Sequence, residues 1–418
     1  MIAFIGPFVA FVGTCLLIML LRPFAIASGL VDRPNARSSH EKPTPLVGGL
    51  SIYVAVAVAY TIPATMGLLP LNREYGVFFI AGLLLVSVGV VDDRRPLSSL
   101  TRFGAQILAT LLMVLGANVV LSDLGGMTFS GESLKLGMLS IPFTVFATLG
   151  VINALNMSDG LDGLSGSMAL ISLTGLFIAA LYGGHSTDAY LLLLLAVGVA
   201  GFLMFNLRFP WRKSAAVFMG DAGSTFLGFA LTWFAISLSQ GSDRVITPAA
   251  ALWFLMLPLF DTVSMIIRRI RAGKSPFEAD KEHIHHVFLM AGFSVNETII
   301  IMAAAAMIGV GIGLLSLDIR APELTVAALF LVAGLLYMWM VLRSWKIMQF
   351  IQRSMCRRRV EDRRSGIDRR QVSQPDYPGP ERRALAERRT AERRSGDTIS
   401  DLAKDEPGLR LRQQVDRG

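Results

Sequence analysis

What most constrains this chain is a series of apolar runs, each long enough to cross a bilayer. They fall at about 2–26, 46–69, 76–91, 100–121, 139–156, 163–183, 188–206, 222–240, 248–267, 297–317 and 323–345. A helix needs about 20 predominantly apolar residues to span the hydrocarbon layer. Backbone groups in lipid find no water, so such runs must satisfy their own hydrogen bonds as helices. The pattern predicts an all-α integral membrane protein with about eleven transmembrane helices. Composition agrees: 53% of residues are hydrophobic and only 17% are charged, with a mean hydropathy of +0.55. The net charge is +8, but basic residues crowd towards the C-terminus. The excess belongs to that segment and does not indicate a nucleic-acid partner. Arg22 follows the first apolar run instead of preceding it, so the run reads as a retained span and not a cleaved signal. Cys15 lies in that run and Cys356 in a basic tail, which argues against a disulfide or a cysteine metal site.

Basic residues orient the spans, because Lys and Arg concentrate in cytoplasmic loops. One set of connections holds Arg33, Arg37, Lys42, Arg94, Arg95, Arg102, Arg208, Arg212, Lys213, Arg268, Arg269, Arg271, Lys274 and Lys281. The opposite set holds only Arg73, Lys135, Arg244 and Arg320. The first set is therefore expected in the cytoplasm, the N-terminus outside and, with an odd number of spans, the C-terminus inside. The outer loops are short and poor in chemistry, and His185 in one of them reads as a solvated residue. A membrane domain over 1–350 is followed by a different segment, 351–418. This repeats an acid-Arg-Arg unit from Asp362, Asp368, Glu381, Glu387 and Glu392. Its Arg, Glu, Ser and Pro content predicts disorder. The interleaved acids weaken any attraction to anionic lipid, so a solvated, dispensable tail is expected.

Every chemical motif falls on the basic side. The stretch 153–167, NALNMSDGLDGLSGS, spaces Asn153, Asn156, Asp159 and Asp162 at steps of three. Each Asp costs roughly 2.5–3.5 kcal/mol at mid-membrane on insertion scales, so a cluster at a membrane boundary calls for a task. A helix cap in the headgroup region is one reading; a cation and phosphate site is the other. A straight helix would wind the four side chains about halfway round. They can face one spot only if the chain bends, for which Gly160 and Gly163 are suited. Asp92 and Asp93 open another connection as a pair that is hard to ionise together without a cation nearby. In FMGDAGST, 218–225, Asp221 sits between Gly220 and Gly223, where backbone can approach a ligand. Asn156 and Asp221 offer the oxygen donors that Mg²⁺ prefers. The longest loop carries His283, His285 and His286. On a helix the first and last would share a face. An isolated run of this kind suits zinc, but the basic residues around it favour anions. Basic side chains, imidazoles and a metal on one face suit phosphoryl transfer, which works mainly by positioning and charge neutralisation.

Together these motifs resemble the polyprenyl-phosphate N-acetylhexosamine-1-phosphate transferases (glycosyltransferase 4). VDRPN with PLVGG, the Asp pair, NALNMSDGLDGL, VFMGDAGS, and SPFEADKEHIHH followed by AGFS carry the resemblance, in order, over about residues 25–350. The chain looks most like the bacterial members that join UDP-N-acetylglucosamine to undecaprenyl phosphate. It lacks the histidine pattern of the peptidoglycan relative with a muramoyl-pentapeptide donor. The resemblance implies Mg²⁺, or Mn²⁺ in its place, held by Asn156 and Asp221. It places Asp92 and Asp93 near the attacking lipid phosphate and Arg102 on phosphate. Asp159 and Asp162 would serve nucleotide binding or catalysis, Asn153 would line the substrate site, and the histidine loop would close over the sugar nucleotide.

The implied reaction is attack by undecaprenyl phosphate on the β-phosphorus of UDP-N-acetylglucosamine, with UMP leaving, at the cytoplasmic face of a bacterial inner membrane. The product would start a surface polysaccharide such as O-antigen. A two-step path through a phospho-aspartate is the competing chemistry. Another UDP-N-acetylated hexosamine is the alternative donor, and a homodimer is compatible with the resemblance. A secondary transporter is the rival class; it would place ionisable groups at mid-membrane in repeated halves, whereas these acids gather at one face.

Overall fold

The computed structural model describes residues 2–33, 43–128, 130–273 and 283–364, and the side chains among them from 5 to 343. Part of the first motif (34–42, with Arg37 and Lys42), the segment 274–282 with Lys274 and Lys281, the Cys356 side chain and most of the Arg-rich tail lie outside this set. Contacts divide the chain into two units, Met1–Gln352 and Arg353–Gly418.

The first unit is a helical bundle, as expected. Its helices are α1 (Ile2–Ser28), α2 (Gly48–Thr65), α3 (Arg73–Arg94), α4 (Ser99–Leu111, extended by a π turn over Leu112–Gly116), α5 (Ser140–Met157), α6 (Leu164–Tyr182), α7 (Ser186–Asn206), α8 (Gly220–Ser237), α9 (Pro248–Phe254), α10 (Met256–Arg271), α11 (Ile284–Met290), α12 (Val295–Asp318) and the part up to Gln352 of α13 (Glu323–Arg364). Every apolar run read from the sequence is occupied by a helix. Among the described residues, nine helices are long and apolar enough to cross a membrane. The pair α9 and α10, bent by 82°, passes the same test only when taken together, as a broken span or a re-entrant loop. The remaining expected span, α8, carries Asp221 and several small polar residues, and nearly all of it is buried among other helices. It needs no lipid-facing apolar surface because protein surrounds it.

Small residues hold α8 at the centre. Gly49 of α2 lies against the backbone of Gly223, Gly89 of α3 against that of Ala222, and Gly228 against Ile152 of α5. Helices in lipid gain little from hydrophobic transfer, so close backbone approach and dispersion must hold them together. Beyond the glycines, Phe226, Phe229, Trp233 and Phe234 of α8 pack around Phe78 of α3. At the bend between α9 and α10, the Ser172 hydroxyl donates to the Phe254 carbonyl at 2.7 Å. The bend frees that carbonyl, and burial demands a partner for it.

Two local expectations change. α3 is longer than the run 76–91: Asn72 caps its start by accepting from Tyr75 N at 3.1 Å, and its end takes in Asp92 and Asp93. The acid pair is therefore a last helical turn and not a loop. His185 is part-exposed but not without partners. Its ring nitrogens lie 3.3 Å from Asp188 Oδ2 and 3.1 Å from the Asp243 carbonyl oxygen, at the start of α7 just after the turn through Gly184, at φ 81°.

The described part of the first connection includes a two-residue antiparallel ladder, β1 (Val31–Asp32) with β2 (Thr44–Pro45). Phe218 N donates to Pro45 O at 2.9 Å, and Gly48 N donates to Phe218 O at 3.0 Å. The Pro- and Gly-rich connection is thus laid onto the segment leading into α8.

Candidate functional site

The ends of α3, α5 and α8, the β1 strand and the segment 158–163 meet at one end of the bundle. They enclose a cavity of about 520 Å³ lined by Asp32, Asp92, Asp93, Arg102, Asn156, Asp159, Asp162, Asp221 and His286. A second cavity of about 640 Å³ shares Asp92, Arg102, Asn156, Asp159, Asp221 and His286 with it. The rest of its wall is largely apolar, with Leu85, Phe103, Phe146 and Leu149 alongside Asn153, Arg269, His283 and His285. Every candidate residue therefore lines one or both cavities.

The two adjacent acids are directed to different partners. Asp92 Oδ1 accepts from Leu97 N at 2.6 Å, and Oδ2 lies 3.5 Å from Arg102 Nη1. Asp93 accepts from Asp221 N at 2.8 Å and Ala222 N at 3.4 Å. These N–H groups belong to the first turn of α8 and have no partner within their own helix; the helix dipole also favours an anion there. Gly220 is needed twice at this junction: φ is 72°, and a Cβ would run into the Asp93 carboxylate. Asp221 therefore belongs to the start of α8, not to a loop.

Asn156 Nδ2 donates to Asp221 Oδ1 at 2.7 Å and to Ser224 Oγ at 2.9 Å, so the expected metal pair is in direct contact. Arg102 Nη1 lies 4.0 Å from Asp221 Oδ2. α5 ends at Met157 and α6 begins after Gly163, at φ 85°; this is the bend the stretch required. Asp159 lies in that bend. Burial first, then the negative charges of Asp221 and Asp162, push its carboxyl up to about 7. Asp162 accepts from Arg208 Nε at 2.7 Å and from Ala215 N at 3.0 Å, tying the bend to the segment before α8. Asn153 donates to Gln106 Oε1 at 2.9 Å and to Leu149 O at 2.7 Å; it lines the second, largely apolar cavity only, whereas Asn156 lines both.

Among the described residues no three Asp, Glu, His or Cys side chains form a complete ion-binding group. Mg²⁺ does not require one: it commonly takes one or two carboxylates and fills its remaining positions with water and phosphate oxygens. The donor set fits. Asp92, Asp159 and Asp221 crowd a cavity in which Arg102 is the nearby cation, and such crowding favours a bound positive charge.

The histidines are arranged differently from the helical expectation. His283 precedes α11, so it does not share a helix face with His286. Its ring instead stacks on His285, with centroids 5.5 Å apart and planes at 6°. The ring of His285 lies 4.3 Å from that of His286. Burial, with His286 and His283 alongside, pushes the His285 imidazole down to about 3. His283 Nδ1 lies 2.8 Å from Asp261 Oδ2. Asp261 was not singled out from the sequence, although an acid inside the apolar run LPLFDTVSM is itself a signal. Asn206 also escaped notice: it accepts from Gly163 N at 2.7 Å and donates to Val217 O at 2.9 Å. A single Asn at a helix end carries no such signal.

The profile of glycosyl transferase family 4 matches residues 75–239. An undecaprenyl-phosphate alpha-N-acetylglucosaminyl 1-phosphate transferase of Escherichia coli O157:H7 is 35% identical over 358 residues, covering 85% of this chain and 95% of that protein. The protein of the same name from Haemophilus influenzae is 34% identical over 346 residues, covering 83% and 96%.

Proposed function

This chain belongs to glycosyl transferase family 4, and from that premise we propose that it transfers N-acetylglucosamine 1-phosphate from UDP-N-acetylglucosamine to undecaprenyl phosphate. The products are UMP and undecaprenyl-pyrophosphoryl-N-acetylglucosamine, a starting unit for surface polysaccharide. The observation that carries this reading is the junction of an acid-lined cavity with a largely apolar one through Asp92, Arg102, Asn156, Asp159 and Asp221. A water-soluble pyrophosphate suits the first and an isoprenoid phosphate the second.

Asn156 and Asp221 would hold Mg²⁺, with Mn²⁺ as its substitute; when bound, the ion supplies charge neutralisation for phosphate oxygens. Asp93 keeps Asp221 in place through the α8 backbone. Asp92 is paired with Arg102, so these two orient the acceptor phosphate. That phosphate is largely dianionic near neutral pH, since its second pKa is about 6, and it needs little help from a base. Its oxygen attacks the β-phosphorus in one step, the bond to the UMP oxygen breaks, and UMP carries away the electron pair. Arg102 offsets the charge gathering on the phosphate oxygens. Asp159 and Asp162 line the nucleotide side of the site, and the histidine run covers it. The active end faces the cytoplasm of a bacterial inner membrane, in line with the basic residues at this end.

The decisive measurement is UMP release from defined UDP-sugars, with and without undecaprenyl phosphate and Mg²⁺. Release from UDP-N-acetylglucosamine that requires both is the expected result. Use of other UDP-sugars but not this one would overturn the donor. Transfer of labelled sugar phosphate onto the protein in the absence of lipid acceptor would replace the one-step path with a phospho-aspartate.

A further inference from the structure

Asp261 is 2% exposed, lies in α10 within an apolar run, and lines neither of the two cavities. A buried carboxylate is expensive unless it is hydrogen-bonded, and this one has three partners, two at the start of α11 and one in α13. His283 Nδ1 lies 2.8 Å from Oδ2. Ile284 N donates to Oδ1 at 3.2 Å, and the Tyr337 hydroxyl of α13 donates to Oδ1 at 3.2 Å. The carboxylate therefore grips both the ring and the backbone at the point where the histidine run enters α11. His283 carries the stack on to His285 and, through it, to His286, and His286 lines both cavities.

We propose that Asp261 is the positioning residue of the histidine run: it holds the His283 ring with a proton on Nδ1, leaves Nε2 as the nitrogen able to meet a ligand, and thereby sets the whole stack against the donor. A carboxylate accepts only, so an imidazole nitrogen hydrogen-bonded to it must carry the proton. Asn at this position would offer an amide N–H to Nδ1 and favour the opposite tautomer, while preserving shape.

The test uses the full-length protein in lipid nanodiscs. The chain has only five histidines, so ¹⁵N-histidine labelling resolves them, with His283 assigned by the resonance lost in His283→Gln. A protonated Nδ1 on His283 in the wild-type protein is expected; an unprotonated Nδ1 overturns the proposal whether or not any variant folds. In Asp261→Asn, the His283 proton should move to Nε2. Activity should fall about 10- to 100-fold, the range seen when a partner orienting a functional histidine is lost. Radiolabelled donor then allows a double-mutant cycle. If Asp261 acts through His283, adding Asp261→Asn to His283→Gln produces little further loss. Multiplying losses, or full activity in Asp261→Asn, overturns the proposal. The inference rests on the transferase reading, and the two fail separately. A wild-type protein that releases no UMP sinks that reading, whereas an active one without the Nδ1 proton sinks only this inference.

Discussion

Asp93 lines the cavity and also holds the start of α8 through its backbone. Its carboxylate accepts from the first N–H groups of α8, 128 residues away in the chain, and so fixes where Asp221 stands. Asp93→Ala removes an acceptor equivalent to a helix N-cap, worth about 0.5–2 kcal/mol, and lets the start of α8 drift. It should lower the melting temperature in detergent and reduce UMP release at least tenfold, with Asp93→Asn milder in stability because one acceptor oxygen remains. His285 makes a pH-dependent contribution with a definite sign. Folded, it stays neutral down to about 3; unfolded, it takes a proton near 6.5. The unfolded state thus binds more protons between these values, and stability falls as pH falls. The contribution is complete above about 6.5 and drops by about 1.4 kcal/mol for each pH unit below it. Thermal melts from pH 7.5 to 5 should show a shallower decline in His285→Gln than in the wild type. Side chains of this kind were legible in the sequence as chemistry, because acids and imidazoles are conspicuous beside apolar runs. Their division of labour was not: adjacent Asp92 and Asp93 have the same neighbours in sequence and different partners in space.

At the scale of elements, the contact between α3 and α8 decides whether the acids converge. Gly89 lies one helical turn before Asp93 and rests on the backbone of Ala222. A side chain there pushes the helices apart and separates Asp93 from the N–H groups it caps. Gly89→Ala should destabilise by about 1–3 kcal/mol, the usual cost of overpacking, and Gly89→Leu should abolish recovery of monodisperse protein in size-exclusion chromatography. Helix positions were readable because apolar length is a local property. α8 shows where that reading stops. Its polar first turn and small residues make it less apolar than the lipid-facing helices, yet nearly all of it is buried, since burial by neighbouring helices replaces burial by lipid. The bend at 158–163 was anticipated from Gly160 and Gly163; the break between α9 and α10 was not, although Pro258 signals it, since a proline has no N–H to offer the carbonyl four residues back, that of Phe254.

For the molecule as a whole, the arrangement at one end of the bundle implies a sided enzyme. Single cysteines placed at exposed Leu100 and at exposed Tyr182, near opposite ends of the bundle's helices, should differ in labelling by an impermeant maleimide added to intact cells. Labelling only at the Tyr182 position is expected, and labelling only at the Leu100 position would reverse the orientation. Removing 353–418, a separate unit, should leave UMP release within about twofold of the full chain, since none of the transferase motifs lies there. A larger loss would give the Arg-rich repeat a task in the reaction.

By itself the sequence determined that this chain is a membrane-embedded helical bundle and which residue types carry its chemistry, because hydropathy and motif identity are properties of short stretches. Only the tertiary structure decided that Asp93 would cap α8, that Asn156 would touch Asp221, that Asp162 would be tied to Arg208, and that Asp261 would anchor the histidines. Each of those contacts joins residues distant in the chain, and its geometry follows from how closely glycine-lined helices approach, a distance that no local pattern encodes.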